Sequence, residues 1–476
     1  MKRELCMDVC ATEKSACSWA EEEFGHVNLG DARLTKRAVR MMASVAQFPS
    51  GKLTEVFQTS ADRQAAYKFV ENDAVDAQPI AEAIGLACAR RCINESFVYV
   101  VVDGSSVRLT DRAGTKDYGA VGSFKHGARG LQVLTSLVLD ADGVPMGVSA
   151  LTWWNRLEKV RTRSQSRSYE EKEVRFWGET IRTTCDRFKE EAPNCRLWFI
   201  IDREADSVDM LLDLKETKHY FTVRAKENRR VQTDYANPAY VFDKLAPKST
   251  RKGSYTLNVS TAHGRTARTA RMSIHFAEVT LRLRKLGSGQ IQEFPVNAIY
   301  VRETSKVPEN EDPIEWLLYT NHPVNTTEDI LLVVQGYMNR WHIEDYHRCW
   351  KSGACNIEST QLQSTKTVKI WATMLASIAA RAERIKHLSR EKPELPAIEE
   401  FSATEIEVIT LLKRNRKKKN EIIPDKLLTI ATVVLWIAEF GGYTGKSSGG
   451  PPGSMTITRG LERLQLAMEL LRIQRE

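Results

Sequence analysis

Hydrophobic residues recur with helical spacing near the start of the chain. In residues 19–24, 34–46 and 61–70 the apolar positions lie three to four apart, which predicts three amphipathic helices. Turn-forming residues separate them, namely Leu29-Gly30-Asp31 and Pro49-Ser50-Gly51. We therefore predict an all-helical domain over residues 1–78.

The pattern then changes to strand-like runs. Residues 97–103 and 197–202 are continuous apolar runs that each end in an acid, Asp103 and Asp202, as is typical of strands buried on both faces. Residues 131–139 and 144–151 flank Ala141-Asp142-Gly143, which predicts a hairpin. With a charged helix at 169–190 and a third strand at 219–224, the segment predicts an α/β domain with a mixed sheet.

Residues 229–321 remain β-like but become basic and irregular. Alternating stretches at 255–260, 271–284 and 294–302 precede a core-like strand at 314–320. Because this segment lies between Asp202 and the next candidate acid, we interpret it as a β-rich insertion that could hold DNA. Its basic residues include Arg265, Arg268, Arg271, Arg282, Arg284 and Lys285.

The most informative segment is residues 330–353, which lack proline and end in glycine. We predict one long helix closed by Gly353 as its C-cap. At about 100° per residue, Tyr337, Arg340, Glu344 and Lys351 would share an arc of about 60°. A carboxylate flanked by cations suits a metal-dependent phosphodiester site, since the acid holds the ion and the bases hold the DNA backbone.

Two other interpretations of this segment stay open. Glu344 with Arg340 or Arg348 could be a surface ion pair at i,i+4 spacing. A zinc site of His342, Glu344 and His347 fits poorly, because its histidines are five apart rather than four.

Asp103 and Asp202 complete the candidate metal site. Acids that follow neighbouring strands lie close together, and like charges at that distance need a cation. With Glu344 they would form an oxygen-rich cage suited to Mg²⁺ or Mn²⁺. The alternative is that both aspartates only cap the turn or helix that follows them.

Composition supports a polyanionic partner without requiring one. The chain has 476 residues, 42% of them hydrophobic, and a net charge of +8, so it can fold into several domains. Seven cations lie between residues 33 and 68, and four of them repeat at helical spacing as one basic stripe. A DNA-binding module is one explanation, and a solvated helix face is the other. The stripe is Arg33, Lys36, Arg37 and Arg40, and the cations after it are Lys52, Arg63 and Lys68.

Several function classes are disfavoured. Nine cysteines without paired C-x2-C modules argue against a disulfide framework or zinc ribbon and favour a reducing cytosol. We expect no signal peptide, because the first eight residues contain no apolar run. We also expect no membrane span, because the longest apolar run, at 427–440, is short. Gly-Tyr-Thr-Gly445-Lys446-Ser447 lacks the first glycine of a phosphate-binding loop, so we expect no nucleotide cofactor.

The last third of the chain predicts helices. They cover residues 365–390, 404–412, 424–440 and 459–473. We predict that the cationic run 413–419 is a linker, where it would be solvated or contact a DNA backbone.

These motifs resemble a known family. Asp103, Asp202 within Asp-Arg-Glu-Ala-Asp, and Tyr337-x2-Arg340-x3-Glu344-x6-Lys351 are similar to the DDE and Y-R-E-K signatures of bacterial cut-and-paste transposases of insertion-sequence family four. The resemblance covers nearly the whole chain. Where relatives often have Thr-Thr after the first acid, this chain has Gly104-Ser105, so Ser105 or Ser106 would have to supply a hydroxyl.

The resemblance implies an α/β fold with an RNase H-like catalytic core. The core would hold a mixed five-stranded sheet with flanking helices and would span residues 79–385, with the β-rich insertion at about 229–321. A helical domain at 1–78 would bind transposon ends, and a helical domain at 386–476 would dimerise.

By the same resemblance, Asp103, Asp202 and Glu344 would be the catalytic, metal-binding acids. They would hold two Mg²⁺ ions per site, with Mn²⁺ as a substitute. Tyr337, Arg340 and Lys351 would grip the phosphates at the cleaved end, Trp316 would receive a flipped base, and Arg224 would lie near the active site. Among the N-terminal cations, Arg33, Arg37 and Lys68 are the predicted DNA contacts.

We therefore hypothesise in-line phosphoryl transfer at transposon ends. The resemblance implies hydrolysis, a hairpin intermediate and joining of the 3′-OH ends to target DNA. It also implies a homodimer in the DNA complex and a cytoplasmic, nucleoid-associated protein. The rivals are a nuclease that does not join DNA and a catalytically inactive DNA-binding inhibitor on the same scaffold.

Overall fold

A computed structural model describes residues 16–122, 127–156, 167–232, 238–259, 265–285, 289–417, 421–424, 427–445 and 450–475. Its helices are α1 (Ala16–Phe24), α2 (Ala32–Gln47), α3 (Leu53–Val56), α4 (Ser60–Val70), α5 (Ala77–Arg91), α6 (Val174–Glu191), α7 (Val208–Glu216), α8 (Val241–Leu245), α9 (Thr327–Met338), α10 (Trp341–Lys351), α11 (Thr365–Glu391), α12 (Ala403–Asn415), α13 (Ile430–Phe440) and α14 (Ser454–Arg475). Its strands are β1 (Phe97–Leu109), β2 (Gly119–Ala120), β3 (Arg129–Leu139), β4 (Pro145–Trp154), β5 (Arg196–Ile201), β6 (Tyr220–Arg224), β7 (Arg230–Val231), β8 (Ala239–Tyr240), β9 (Arg251–Val259), β10 (Arg268–Arg284), β11 (Ile291–Glu303) and β12 (Glu315–Thr320).

The predicted mixed sheet is present and brings the two aspartates side by side. β1 pairs antiparallel with β3 and parallel with β5, with Val102 opposite Ile201. Asp103 and Asp202 are the residues that directly follow this pair. The hairpin of β3 and β4 is also present, and Gly143 in its turn has φ of +86°, a conformation that favours glycine.

The β-rich segment does not form a separate platform, which corrects the prediction of a five-stranded sheet beside an insertion. β12 pairs with β6, β11 with β12, and β10 with β11, so the sheet order is β2-β3-β1-β5-β6-β12-β11-β10-β7-β8. β4 and β9 pair outside this path, so the described residues form one sheet of 12 strands. The reason is edge pairing, since β6 would otherwise leave its backbone groups unpaired.

Asp103 does not end its strand. β1 continues to Leu109 and Asp103 lies opposite Thr135, because β3 is long enough to go on pairing with it. The side chain of Asp103 therefore projects from the middle of a rigid strand.

The long late helix is broken in two, which corrects the prediction for residues 330–353. α9 ends at Met338 and α10 begins at Trp341. Backbone bonds at the junction, such as Arg340 N–H to Tyr337 O at 3.2 Å, span three residues and tighten the chain. α10 ends at Lys351, two residues before Gly353, whose φ is not positive. A Cβ at Gly353 would lie 2.8 Å from Cys349 Cα, so this glycine permits a close contact.

One hydrophobic core joins the N-terminal helices to the sheet. Phe24, Met42 and Phe69 belong to the same buried cluster as Tyr99 of β1 and Trp371 of α11. A second cluster fills the other face of the sheet around Phe199. The N-terminal helices therefore pack against the same sheet and against α11.

The C-terminal helices form their own cluster, which includes Ile385, Phe401 and Trp436. The predicted boundary at residues 385 and 386 falls inside α11, which continues to Glu391. The predicted helix at 424–440 begins at Ile430. Among the described residues, no helix is long and apolar enough to span a bilayer.

Candidate active site

Three carboxylates meet at one guanidinium group. Arg340 lies 3.3 Å from Asp103 Oδ2 and 3.9 Å from Asp202 Oδ2 through the same nitrogen, Nη1, and donates to Glu344 Oε1 through Nη2 at 2.7 Å. Asp103 Oδ2 and Asp202 Oδ2 share the nitrogen Nη1, so they cannot be farther apart than the sum of their distances to it. Glu344 Oε1 lies against the other terminal nitrogen of the same guanidinium group. All three acids thus lie within the span of about 10 Å that two bridged metal ions can cover.

Each acid is delivered by a different element. Asp103 projects from β1, and Asp202 follows β5 and accepts the N–H of Arg203, the first residue of a 3₁₀ turn. Glu344 lies in the first turn of α10, four residues after Arg340. Asp202 does cap this turn, as the alternative predicted, but its carboxylate also faces the guanidinium of Arg340.

The alternative of a surface ion pair is not what the structure shows. Arg340 and Glu344 do pair, but the Arg340 side chain is only 8% exposed and also faces two further acids. The break between α9 and α10 lies at Arg340, so the kink is part of how the guanidinium reaches the sheet.

The site carries more negative than positive charge at its centre. Burial raises the pKa of Asp103 to about 7, although Arg340 opposes this shift. Burial acts to lower the pKa of Arg340, but the facing acids Asp202 and Asp103 raise it above the usual value. Arg340 alone does not balance the three carboxylates, and their oxygens are ligands that suit a further hard cation such as Mg²⁺.

We expect this titration to appear in the pH dependence of stability. The pKa of Asp103 is about 7 in the folded chain and about 3.9 when unfolded. The stability that protonation of Asp103 contributes is therefore fully present below about pH 4 and is lost as pH rises through 7. In EDTA, the melting temperature should fall between pH 5 and 8, and Asp103→Asn should flatten this slope. An unchanged slope in Asp103→Asn would contradict the raised pKa of Asp103.

Tyr337 supports the second acid. Its hydroxyl donates to Asp202 Oδ1 at 3.1 Å, and burial raises its pKa to about 12. Trp316 packs edge-on against Tyr337, with ring centroids 5.3 Å apart, and is 9% exposed. Trp316 is therefore buried beside Tyr337, and its role of receiving a flipped base stays a prediction.

Two further predicted cations border the acids. Lys351 donates to Ser105 Oγ at 3.2 Å and lies 4.0 Å from Glu358, so the Ser105 hydroxyl supports the lysine. Arg224 lies 3.9 Å from Asp202 and donates to the carbonyl of Glu315.

The acids open into a cleft of about 480 Å³. Glu204 and Arg348 also line it, and the sequence interpretation assigned neither a direct role at the acids. Glu204 further lines a neighbouring cleft of about 460 Å³ with Arg203, Arg224 and Lys226. In the sequence, Arg203 and Glu204 directly follow Asp202, and this position could have indicated that Glu204 lies near the acids.

The zinc motif considered for α10 does not assemble. His347 is buried with Nε2 3.2 Å from Thr135 Oγ1, and burial lowers its pKa to about 3. His342 instead lies against His387, with ring centroids 4.1 Å apart.

The basic residues outside the acid site differ in their availability. Arg33, Lys36, Arg40 and Lys68 are exposed, although Arg33 is paired with Asp31, and Arg37 is half-buried. In the β-rich segment Arg268 pairs with Glu303 and Glu311 and is 12% exposed, so it stabilises the fold.

Two family models match the chain. Residues 16–75 match the transposase DNA-binding domain, and residues 178–380 match the transposase DDE domain. The second range contains Asp202 and Glu344, whereas Asp103 precedes it. The matches support a DDE transposase family. In this chain, the pairing of β1 with β5 is what places Asp103 beside the matched acids.

Proposed function

We propose that this chain is a transposase that excises and inserts DNA by a cut-and-paste reaction. It binds transposon ends, cleaves them by metal-dependent hydrolysis and transesterification through a hairpin, and joins the 3′-OH ends to target DNA. The observation that carries the proposal is the convergence of Asp103, Asp202 and Glu344 on Arg340. The sequence resemblance supports the hairpin step and membership of insertion-sequence family four.

Asp103, Asp202 and Glu344 would hold two divalent ions, Mg²⁺ or Mn²⁺. When bound, such ions activate the attacking oxygen and stabilise the leaving 3′ oxygen. The residues around the acids then bind and orient the DNA strand. Tyr337 holds Asp202 in place, while Lys351 and Arg340 offer cationic groups to phosphates at the cleaved end.

The N-terminal helices would bind the transposon ends. We propose residues 1–78 as the DNA-binding domain, 79–385 as the catalytic domain and 386–476 as the dimerisation domain, with a homodimer in the DNA complex and a cytoplasmic, nucleoid-associated location. The match over residues 16–75 and the exposed cations of α2 and α4 support the DNA contact. Trp316 would meet a flipped base only after its packing against Tyr337 opens.

Replacing Lys36 and Lys68 with glutamine should weaken binding to end DNA and make it less dependent on salt. Each lost phosphate contact should reduce the slope of log K against log salt concentration by about 0.9. Fluorescence anisotropy across a salt series measures this slope. Lys189→Gln, an exposed lysine on α6, is the matched control and should leave the slope unchanged. Equal slopes for all three proteins would place the end-binding surface elsewhere.

Strand joining tests the proposed function directly. The full chain is incubated with Mg²⁺, a pre-cleaved end that carries a free 3′-OH and a supercoiled plasmid. Insertion of the end into the plasmid is the expected product. Cleavage of intact ends without joining would indicate the nuclease, and binding without either reaction would indicate the inactive inhibitor.

A further inference from the structure

A second group of side chains that could hold a metal ion lies between α10 and α11. Within the described residues, Asp345, Glu383 and His387 form the one group of three whose ligand atoms all lie within 4.8 Å of one another. Asp345 belongs to α10, and the other two belong to α11. The three acids of the active site do not meet this criterion, because the Arg340 guanidinium separates them.

His387 is the residue that points to a ligand. It is 4% exposed, and in the part of the chain that the structure describes neither of its ring nitrogens has a hydrogen-bond partner. Its Nε2 faces Glu383 Oε2 at 3.8 Å. A buried polar group without a partner costs stability. An imidazole nitrogen aimed at a carboxylate at this distance needs only a small closure for both to bind one ion at about 2.0–2.2 Å.

His342 adds a fourth candidate ligand. Its ring lies 4.1 Å from the ring of His387, and its Nδ1 has no hydrogen-bond partner among the described residues. Burial lowers the pKa of His387 to about 2, so its imidazole is neutral, the form that binds a metal. Two imidazoles and two carboxylates suit a transition metal rather than Mg²⁺.

We propose that Asp345, Glu383 and His387, with His342 at the fourth position, bind a divalent transition metal of the zinc type that links α10 to α11. In this structure Lys386 occupies part of the proposed site. Its ammonium pairs with Glu383 and lies 3.0 Å from Asp345. The metal replaces this ammonium and also binds the histidine nitrogens that the lysine leaves without partners. Access is from the Asp345 side, where that side chain is 38% exposed.

The test uses the full chain with Asp103→Asn and Asp202→Asn, so that ions do not bind at the catalytic acids. Titration calorimetry with Zn²⁺ alone should show one equivalent bound at this site. Co²⁺ should bind the same site with the visible spectrum of nitrogen and oxygen ligands and without the intense thiolate band that cysteine ligands would give.

Four variants in this background decide the proposal. His387→Gln and Asp345→Asn should each weaken Zn²⁺ binding at least about tenfold, because each removes one ligand. Lys386→Met should strengthen binding about tenfold, because it removes a competing cation. His26→Gln, an exposed histidine, is the matched control and should bind like the parent.

The proposal is overturned if His387→Gln and His26→Gln bind Zn²⁺ equally, or if Lys386→Met gains no affinity. If His387→Gln does not fold, Asp345→Asn decides, since its partly exposed position should tolerate the change. Unchanged Zn²⁺ affinity in that variant would overturn the proposal. None of these measurements depends on DNA cleavage, so they are independent of the proposed function.

Discussion

Cleavage of transposon-end DNA should fall by at least about a thousandfold when Glu344 is replaced with alanine. Glu344 supplies one of the three carboxylates around Arg340, and its side chain is 35% exposed toward the cleft. Because the proposed reaction needs all three acids to hold the ions, one missing carboxylate should stop every chemical step. Single-turnover cleavage of labelled end DNA in Mg²⁺ measures the effect.

DNA binding by Glu344→Ala should stay within about twofold of wild type in a mobility-shift assay, since the acid repels phosphate rather than binding it. Glu328→Ala is the matched control. Glu328 is an exposed acid in the first turn of α9 and lies outside the cleft, so the control should cleave normally. Cleavage retained by Glu344→Ala would show that Glu344 holds no ion.

Replacing Arg340 with methionine should lower the free energy of unfolding by about 3 kcal/mol in EDTA at pH 8, because it leaves facing carboxylates without their counter-ion. Mg²⁺ should then stabilise the variant more than it stabilises wild type, since the ions can take the place of the guanidinium. The loss should shrink near pH 6, where Asp103 takes up a proton. Chemical denaturation at both pH values, with and without Mg²⁺, checks each part.

Arg348→Met is the matched control for this change. Arg348 lies on the same helix with its side chain 72% exposed and pairs with the partly exposed Asp345, so its loss should cost less than about 1 kcal/mol. Equal stability of Arg340→Met and wild type in EDTA would contradict the role of Arg340 as the internal counter-ion.

The parts of the site that local patterns encode were predictable. The apolar runs before Asp103 and Asp202 indicated neighbouring strands, and β1 and β5 are indeed parallel neighbours. Helical spacing around Tyr337, Arg340, Glu344 and Lys351 predicted a shared face, and all four side chains contact the acids or line the cleft beside them. These features depend on residues close in sequence.

The features that were missed depend on contacts between distant segments. Nothing local tells that β12 pairs with β6 to extend the sheet, or that β3 carries β1 past Asp103. Helix propensity does not predict the break at Arg340, since the acids that Arg340 faces, Asp103 and Asp202, lie more than 100 residues earlier in the chain. Spacing also does not reveal that Trp316 packs against Tyr337.

Backbone cleavage by bound Fe²⁺ tests the central claim most directly, because hydroxyl radicals formed at an ion cut the chain beside its ligands. We expect the full chain with Fe²⁺, ascorbate and peroxide to be cut beside Asp103, Asp202 and Glu344 together, with Mg²⁺ suppressing all three cuts. Cuts mapped by mass spectrometry that spare Asp103 and Asp202 would show that the three acids do not share ions.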